Sequence, residues 1–491
     1  MKKINKTNFP GTLPKSPTGI KGLDDLTMGG LPKNRPTLLL GNTGCGKTLM
    51  AMEFLVNGIT LFDEPAVFMA FEEKIEELMV NVKSLGYDLE THLGNNKIYL
   101  EHVQIINSDE TIETGKYNID GLFVRIEQAI NKVKAKRVVL DSLDTLFYGL
   151  DYKTLRSEFK RLFIWLKEKK VTALITAEIG DTFLTRHGLE EYVADCVILL
   201  DNRVKDQVST RRLRIVKYRG TLHGNNEYPF IIEENGITVF PIISEIIQHK
   251  ISSKIISTGI KDLNEMLDKK GFYVGSSILV SGTAGTGKTS IVTSFGKNAC
   301  IEKKKVLFCA FEEAPNQVIR NMNSIGIDLE PEVKSEFLHF YYSRPTLQNL
   351  ELHFISIKEV IKKLKPAIVI IDPITNLMNE DPNSSVRLML TLFVDYLKLE
   401  QITVIFTAAI TEKLIERNPS DEGISSLVDT WIMVEDAETQ GQRNRTLTVL
   451  KARGMGHSRS VKKITISNNG ISLEAIPKKE GRLREKIRSK K

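Results

Sequence analysis

Apolar residues fall into short, nearly continuous runs separated by stretches of helical spacing. Thr37–Leu40, Ala66–Phe71, Val138–Asp141 and Val171–Thr176 are rich in aliphatic and β-branched side chains, the pattern of strands covered on both faces. Between them, Thr48–Phe62 and Leu122–Val133 place apolar residues three and four apart, which predicts amphipathic helices. The alternation returns later, with strands at Ser277–Ser281, Lys305–Phe311, Val369–Asp372 and Ile402–Thr407 and helices at Thr289–Lys304 and Leu350–Leu364. Strand–helix alternation of this kind predicts an α/β fold, a mostly parallel sheet with helices on both faces. The segments around Ile198, Leu213–Lys217 and Phe230–Phe240 read as antiparallel strands, with turns at Asn235-Gly236 and Asn469-Gly470.

The return is a duplication. Thr18-Gly-Ile-Lys recurs at Thr258, Gly41-Asn-Thr-Gly-Cys-Gly-Lys-Thr48 as Gly282-Thr-Ala-Gly-Thr-Gly-Lys-Thr289, and Ala70-Phe-Glu-Glu73 as Ala310-Phe-Glu-Glu313. Val138-Val-Leu-Asp141 recurs as Val369-Ile-Ile-Asp372, and Lys217-Tyr-Arg-Gly-Thr-Leu-His223 as Lys451-Ala-Arg-Gly-Met-Gly-His457. A period of 231 to 241 residues is far too long for a solenoid repeat and marks tandem copies of one large domain. The expected division is a basic tail over 1–16, a first domain over 17–247, a second over 248–477 and a basic tail over 478–491, with the joint near 241–257.

The net charge of +7 changes meaning once it is located. Residues 1–22 carry +5 and residues 478–491 carry +6, which leaves the body at −4. A nucleic-acid track through the body is therefore not expected, and the tails read as solvated extensions. No apolar run is long enough to span a bilayer, and the N-terminal segment lacks the apolar core of a secretory signal. A cytoplasmic protein is expected, with no membrane partner. Cys45, Cys196, Cys300 and Cys309 are scattered without metal-ligand spacing and read as free thiols.

The chemistry lies in the glycine-rich loops. G-x-x-x-x-G-K-T after a strand and at the start of a helix is a phosphate cradle. Backbone N–H groups of Gly41, Asn42, Thr43, Gly44, Cys45 and Gly46, and of Gly282, Thr283, Ala284, Gly285, Thr286 and Gly287, would turn inward around phosphate oxygens at a helix N-terminus. Lys47 and Lys288 would reach the β/γ-phosphates of ATP, and Thr48 and Thr289 would offer a hydroxyl to Mg²⁺. Cys45 reads as a loop residue contributing backbone, with a redox-sensitive thiol as the alternative. Asp141 and Asp372 end apolar strands where a carboxylate can face the magnesium and its waters. Glu72/Glu73 and Glu312/Glu313 end the neighbouring strand. One carboxylate of each pair can orient or deprotonate the attacking oxygen while its neighbour faces the metal. Lys217/Arg219 and Lys451/Arg453, two apart on a strand, point to one face and suit an anion held by an adjacent subunit; an exposed basic edge strand is the plainer alternative.

Taken with Asp141-Ser142, Glu227-Tyr-Pro-Phe230 and Ile424-Ser-Ser-Leu-Val-Asp-Thr430, this constellation resembles the KaiC family of circadian clock ATPases and autokinases, within the RecA-like P-loop superfamily. The resemblance covers about residues 17–476. It implies two tandem RecA-like domains, a homohexamer of double-ring shape with ATP at every subunit interface, and Mg²⁺. The first domain would be a slow ATPase and the second an autokinase and autophosphatase, with Glu312 as base and Glu313 as magnesium ligand. It also implies nucleotide contacts from His223 and His457, and a KaiB-like partner on the first ring. The family's phosphate acceptors fall on Ser425 and Ser426, so the second acceptor is serine rather than threonine. At the internal alignment these two sit opposite Glu191 and Tyr192; the first domain has no hydroxyl pair there and would use water. Two further departures are Pro373 in place of Ser142, and a short basic C-terminus where the family docks an activator. The rival readings are an ATP-gated scaffold ring without kinase activity and a RecA-like nucleic-acid-dependent ATPase.

Overall fold

The computed structural model describes residues 13–84, 86–103, 120–142, 144, 152–180, 193–205, 208–234, 236–240, 252–268, 270–344, 350–378, 384–410, 426–439 and 442–476. The tails at 1–12 and 477–491, the joint at 241–251, and Asn235 lie outside them. The chain divides into two units, 1–243 and 244–491.

In the first unit the main strands are β1 (Pro36–Gly41), β2 (Ala66–Ala70), β3 (Ile98–His102), β4 (Arg137–Asp141), β5 (Thr172–Ala177), β6 (Cys196–Lys205), β7 (Val208–Tyr218), β8 (Glu227–Glu233) and β9 (Gly236–Val239). They form one nine-stranded sheet in the order β9-β8-β7-β6-β1-β5-β4-β2-β3. From β6 through β3 every pairing is parallel, and β7, β8 and β9 continue as antiparallel hairpins. The strand through Ile198 joins the two halves of the sheet, antiparallel to β7 as expected but also parallel to β1.

Alternation along the strands fills two cores. Leu39, Phe68 and Val139 point to one face, where they meet Phe54 of helix α1 (Lys47–Phe62). Leu38, Leu40, Val67, Met69, Val138 and Leu140 point to the other. There helices α3 (Asp120–Val133) and α4 (Tyr152–Glu168) cover them through Ile126, Phe159 and Phe163. Burial on both faces is why these strands read as continuous apolar runs. A shorter helix, α2 (Ile75–Lys83), follows β2.

The second unit repeats the plan. Strands β10 (Ser277–Gly282), β11 (Val306–Ala310), β12 (Leu338–Tyr342), β13 (Ile368–Asp372), β14 (Thr403–Ala409), β15 (Thr430–Thr439), β16 (Gln442–Ala452), β17 (Lys462–Ser467) and β18 (Gly470–Ala475) pair in the order β12-β11-β13-β14-β10-β15-β16-β17-β18. Its helices are α5 (Lys288–Ile301), α6 (Pro315–Asn323), α7 (Leu350–Leu364) and α8 (Ser384–Leu399).

The copies differ at one core position. Arg137 at the start of β4 is fully buried; the matching residue of β13 is Ile368. The guanidinium donates to Glu64 Oε2 at 2.7 Å, to the Phe54 carbonyl at 2.7 Å and to the Pro17 carbonyl at 2.7 Å, and lies over the Phe54 ring at 4.5 Å. Burial lowers its pKa against the pull of Glu64. The charge is affordable only because it is paired and its donors are used, and it ties the N-terminal segment to α1 and the sheet.

Arg137→Ala should therefore destabilise the first unit by about 3–5 kcal/mol, the scale for stripping one partner from a buried pair. Arg137→Leu, closer to the second copy's solution, should cost less. Two-transition thermal unfolding checks this, and loss confined to the other unit would contradict it.

Candidate nucleotide site

Both glycine-rich loops leave the carboxyl end of the central strand and run directly into a helix, at Gly46–Lys47 and Gly287–Lys288. Gly46 and Gly287 hold φ of +103° and +93°, a region a side chain disfavours. A Cβ there would also stand 2.8 Å from Ile232 Cδ1 or 2.6 Å from Ile466 Cδ1. Lys47 folds over its loop and donates to the Gly41 carbonyl at 2.7 Å and to the Asn42 carbonyl at 3.2 Å. Lys288 makes the same bonds to Gly282 (3.0 Å) and Thr283 (2.7 Å). Burial lowers the Lys288 pKa, while Asp372 and Glu312 pull it back up. Cys45 is fully buried and burial pushes its thiol up, so it stays protonated and shielded.

The predicted carboxylates converge on each loop. Thr48 Oγ1 donates to Asp141 Oδ2 at 2.8 Å, and Thr176 donates to the other oxygen. In the second unit Thr407 and Thr289 bond Asp372. Burial raises both aspartate pKa values, and the threonine hydroxyls counter it. Ser142 Oγ donates to Glu72 Oε1 at 2.8 Å; Pro373 offers Glu312 no such donor. The peptide before each of these residues is cis. Glu73 accepts from Asn81 Nδ2 at 2.5 Å and Glu313 from Asn321 Nδ2 at 2.9 Å. In the first unit a cleft of about 560 Å³ joins Lys47, Thr48, Glu72, Glu73, Asp141 and Ile232. That volume is within the range for small-molecule sites.

The donor set fits a nucleotide with a hard cation. Among the described residues no three His, Cys, Asp or Glu side chains stand together as a self-sufficient metal site. A few hydroxyl and carboxylate oxygens beside a phosphate cradle are what Mg²⁺, which keeps waters and phosphate oxygens as ligands, requires.

The basic motif is not at this end of the sheet. Lys217 pairs with Val197 and Tyr218 with Cys196, which in turn pairs with Thr37, whereas the loop starts at Gly41 opposite Leu200. Lys451 pairs with Trp431, beside Leu279. Each Lys-x-Arg-Gly segment thus runs off the amino edge of the sheet, while each phosphate loop leaves the carboxyl edge. Arg219 and Arg453 also sit beyond the last strand residues, Tyr218 and Ala452. There the strand gives way to a turn in which Gly220 and Gly454 take φ of +82° and +74°. His223, whose Nδ1 lies 3.1 Å from the Gly224 carbonyl, and His457, bridged to Leu267, follow the same turn.

An aspartate anchors that turn in both copies, buried as Asp195 in the first and partly buried as Asp429 in the second. The Arg219 amide donates to the Asp195 carbonyl at 2.9 Å and the Arg453 amide to the Asp429 carbonyl at 2.8 Å. Lys167 Nζ meets Asp195 at 2.5 Å, and Lys398 Nζ meets Asp429 at 2.8 Å. Burial opposes the Asp429 charge, yet the bonds from Lys398 and Ser277 hold its carboxyl below the ordinary value. Ser426 lies on this edge too. Its hydroxyl accepts from Arg387 at 3.1 Å and its carbonyl from Arg453 at 3.1 Å. Ser425, Glu191 and Tyr192 lie outside the described residues.

Sequence reasoning missed Asn81/Asn321, Thr176/Thr407 and Ile232/Ile466. Each pair holds matching places in the two copies, so the internal alignment carried the signal.

Two copies of a parallel sheet, each with a phosphate loop, an acid-bound hydroxyl and a carboxylate pair, define a tandem P-loop ATPase of RecA-like α/β type. The sequence model of the family described as the KaiC ATPase matches residues 16–244 and again 256–478. The circadian clock protein KaiC2 of Synechocystis sp. is 47% identical over 464 residues, covering 94% of this chain and 82% of that protein. The circadian clock oscillator proteins KaiC of Parathermosynechococcus lividus and Synechococcus elongatus are 35% and 34% identical over 465 and 473 residues. They cover 94% and 96% of this chain and 85% and 91% of their own lengths. The chain belongs to the KaiC family and is a nucleotide-binding ATPase. No helix among the described residues is long and apolar enough to cross a membrane.

Because the Asp429 carboxyl is held low when folded, its contribution to stability is full above the unfolded value and fades as pH falls through the folded one. Asp429→Asn should cost the second unit about 1–3 kcal/mol at neutral pH. The deficit should shrink below about pH 4. Urea denaturation across pH checks the sign.

Proposed function

We propose that copies of this chain assemble into a ring, a homohexamer on the family pattern, in which the phosphate loop of one copy faces the Lys-x-Arg-Gly turn of the next. In that ring the first unit hydrolyses ATP and the second transfers phosphate to Ser425 and Ser426 of a neighbour and later removes it, in a timing or signalling role. The observation that carries this reading is the separation within each unit. The cations and Ser426 sit at the amino edge of the sheet and the unit's own loop at the carboxyl edge, so the two halves of the site come together only between copies.

Within the site, loop amides and Lys47 or Lys288 would hold the triphosphate. Mg²⁺, bound by Thr48 or Thr289 with Glu73 or Glu313 nearby, would neutralise charge building between the β- and γ-phosphates. In the first unit Glu72, fixed by Ser142, would accept a proton from the attacking water. In the second, Glu312 would accept the serine hydroxyl proton as the serine oxygen bonds to the γ-phosphorus and ADP leaves. Lys217, Arg219, His223, Lys451, Arg453 and His457 of the neighbouring copy would steady the developing charge on phosphate oxygens. A KaiB-like protein is the partner proposed for the first ring.

Mixing tests transfer between copies. Chains carrying Lys288→Ala, unable to hold ATP in the second unit, are combined with chains carrying both Ser425→Ala and Ser426→Ala, then incubated with labelled ATP and Mg²⁺. Label should appear on the Lys288→Ala chains within the 420–430 peptide; its absence there would sink the trans assignment. Glu72→Ala should lower hydrolysis by the first unit by about 10²–10⁴-fold while native mass still shows the ring.

A further inference from the structure

Glu53 is a buried carboxylate that the proposed mechanism does not use. It lies in α1, two helical turns beyond the phosphate loop, with little of the residue exposed. Burial raises its pKa, against hydrogen bonds from Ile237, Tyr87 and Asn57. Its Oε2 accepts from the Tyr87 hydroxyl at 2.8 Å and from the Ile237 amide at 2.7 Å.

The second bond is the informative one. Ile237 lies on β9, the outermost strand of the sheet, and pairs with Ile232 of β8. The bonds along a two-residue hairpin alternate, and Glu233–Gly236 closes the turn. The Ile237 amide therefore points outward, where Glu53 meets it. Ile232, directly across, lines the nucleotide cleft and its Cδ1 covers the Gly46 side of the loop. A carboxylate on the helix that begins at the phosphate loop thus holds the strand pair that roofs that loop.

The second unit solves the same problem elsewhere. Ile466 covers Gly287 as Ile232 covers Gly46, but the residue matching Glu53 is Ser294. The edge strand β18 is instead fixed by Asp262 Oδ2, from the short helix Lys261–Met266, at the Leu473 amide (2.9 Å). In the first unit the matching amide, Val239, bonds the Lys21 carbonyl at 2.8 Å. The tie from the loop's own helix is special to the first unit.

We infer that Glu53 is a positioning residue for the first nucleotide site: it holds the β8–β9 hairpin so that Ile232 closes over the phosphate loop and slows nucleotide release. This rests on the reading of that loop as an ATP site. Glu53 touches no phosphate, so its loss should change how tightly nucleotide is held more than how fast it reacts.

The test uses the full chain in a Lys288→Ala background, so that turnover comes from the first unit. Glu53→Ala should raise the KM for ATP and speed ADP release roughly tenfold, the factor matching about 1.4 kcal/mol for one buried hydrogen bond, with kcat within about twofold. Glu53→Gln keeps an oxygen for the Ile237 amide, so it should recover most of the loss and covers the case in which Glu53→Ala does not fold. Ile232→Ala should reproduce the defect, and the double variant Glu53→Ala/Ile232→Ala should be no worse than either alone. Wild-type KM and ADP release in folded Glu53→Ala would overturn the inference, as would effects that multiply in the double variant. Adding Lys47→Ala separates the two levels. If it abolishes nucleotide binding while the Glu53 variants behave as wild type, only the positioning role fails; if it binds nucleotide normally, the ATP-site reading fails and the inference with it.

Discussion

Everything at the site depends on one hydrogen bond, from the hydroxyl that opens the first helix turn to a carboxylate at the end of a neighbouring buried strand. Thr48 and Asp141 make it in the first unit, and Thr289 and Asp372 in the second. Each aspartate is taken out of water by the sheet and kept polar by threonines on two sides. Such a group is costly unless every lone pair is used. The bond therefore fixes the helix against the sheet, and with it the direction in which the loop amides converge. The carboxylate pairs and their asparagine partners are arranged around that fixed point.

Legibility followed physics closely. The phosphate loops, the strand-end carboxylates and the parallel core could be read because each depends on local spacing: a turn needing glycine, a strand buried on both faces, a helix starting at once. The position of the Lys-x-Arg-Gly motif could not. Its place at the far edge of the sheet follows from β7 running antiparallel to β6, a pairing between distant segments that no local pattern encodes. That the strand through Ile198 also pairs parallel with β1 was hidden for the same reason. Nothing in the local sequence marks Arg137 or Glu53 as buried. Only packing shows that their partners, Glu64, Pro17, Tyr87 and Ile237, come from segments scattered along the chain.

The two copies keep the cradle and vary what surrounds it. Ser142 holds Glu72 in one, and proline occupies that place in the other. Arg137 gives way to Ile368, and the Glu53 tie to one through Asp262. Serines stand at 425 and 426 where the first copy has Glu191 and Tyr192. A duplicated site can divide labour in this way. The phosphate loop is held constant, while the residue beside the carboxylate pair, the buried charge at the start of the strand and the tie to the edge strand differ between the halves.

The closed outer edge of the sheet has one more consequence. Ordinarily the last strand of an open sheet shows a row of bare amides and carbonyls onto which a foreign strand can grow. Here the outward amides of β9 are taken by Glu53 and the Lys21 carbonyl, and that of Leu473 in β18 by Asp262. Copies of the chain therefore cannot polymerise by zipping backbone to backbone at these positions. At this edge self-association is left to side-chain surfaces, which can come apart and re-form without passing through a fibril.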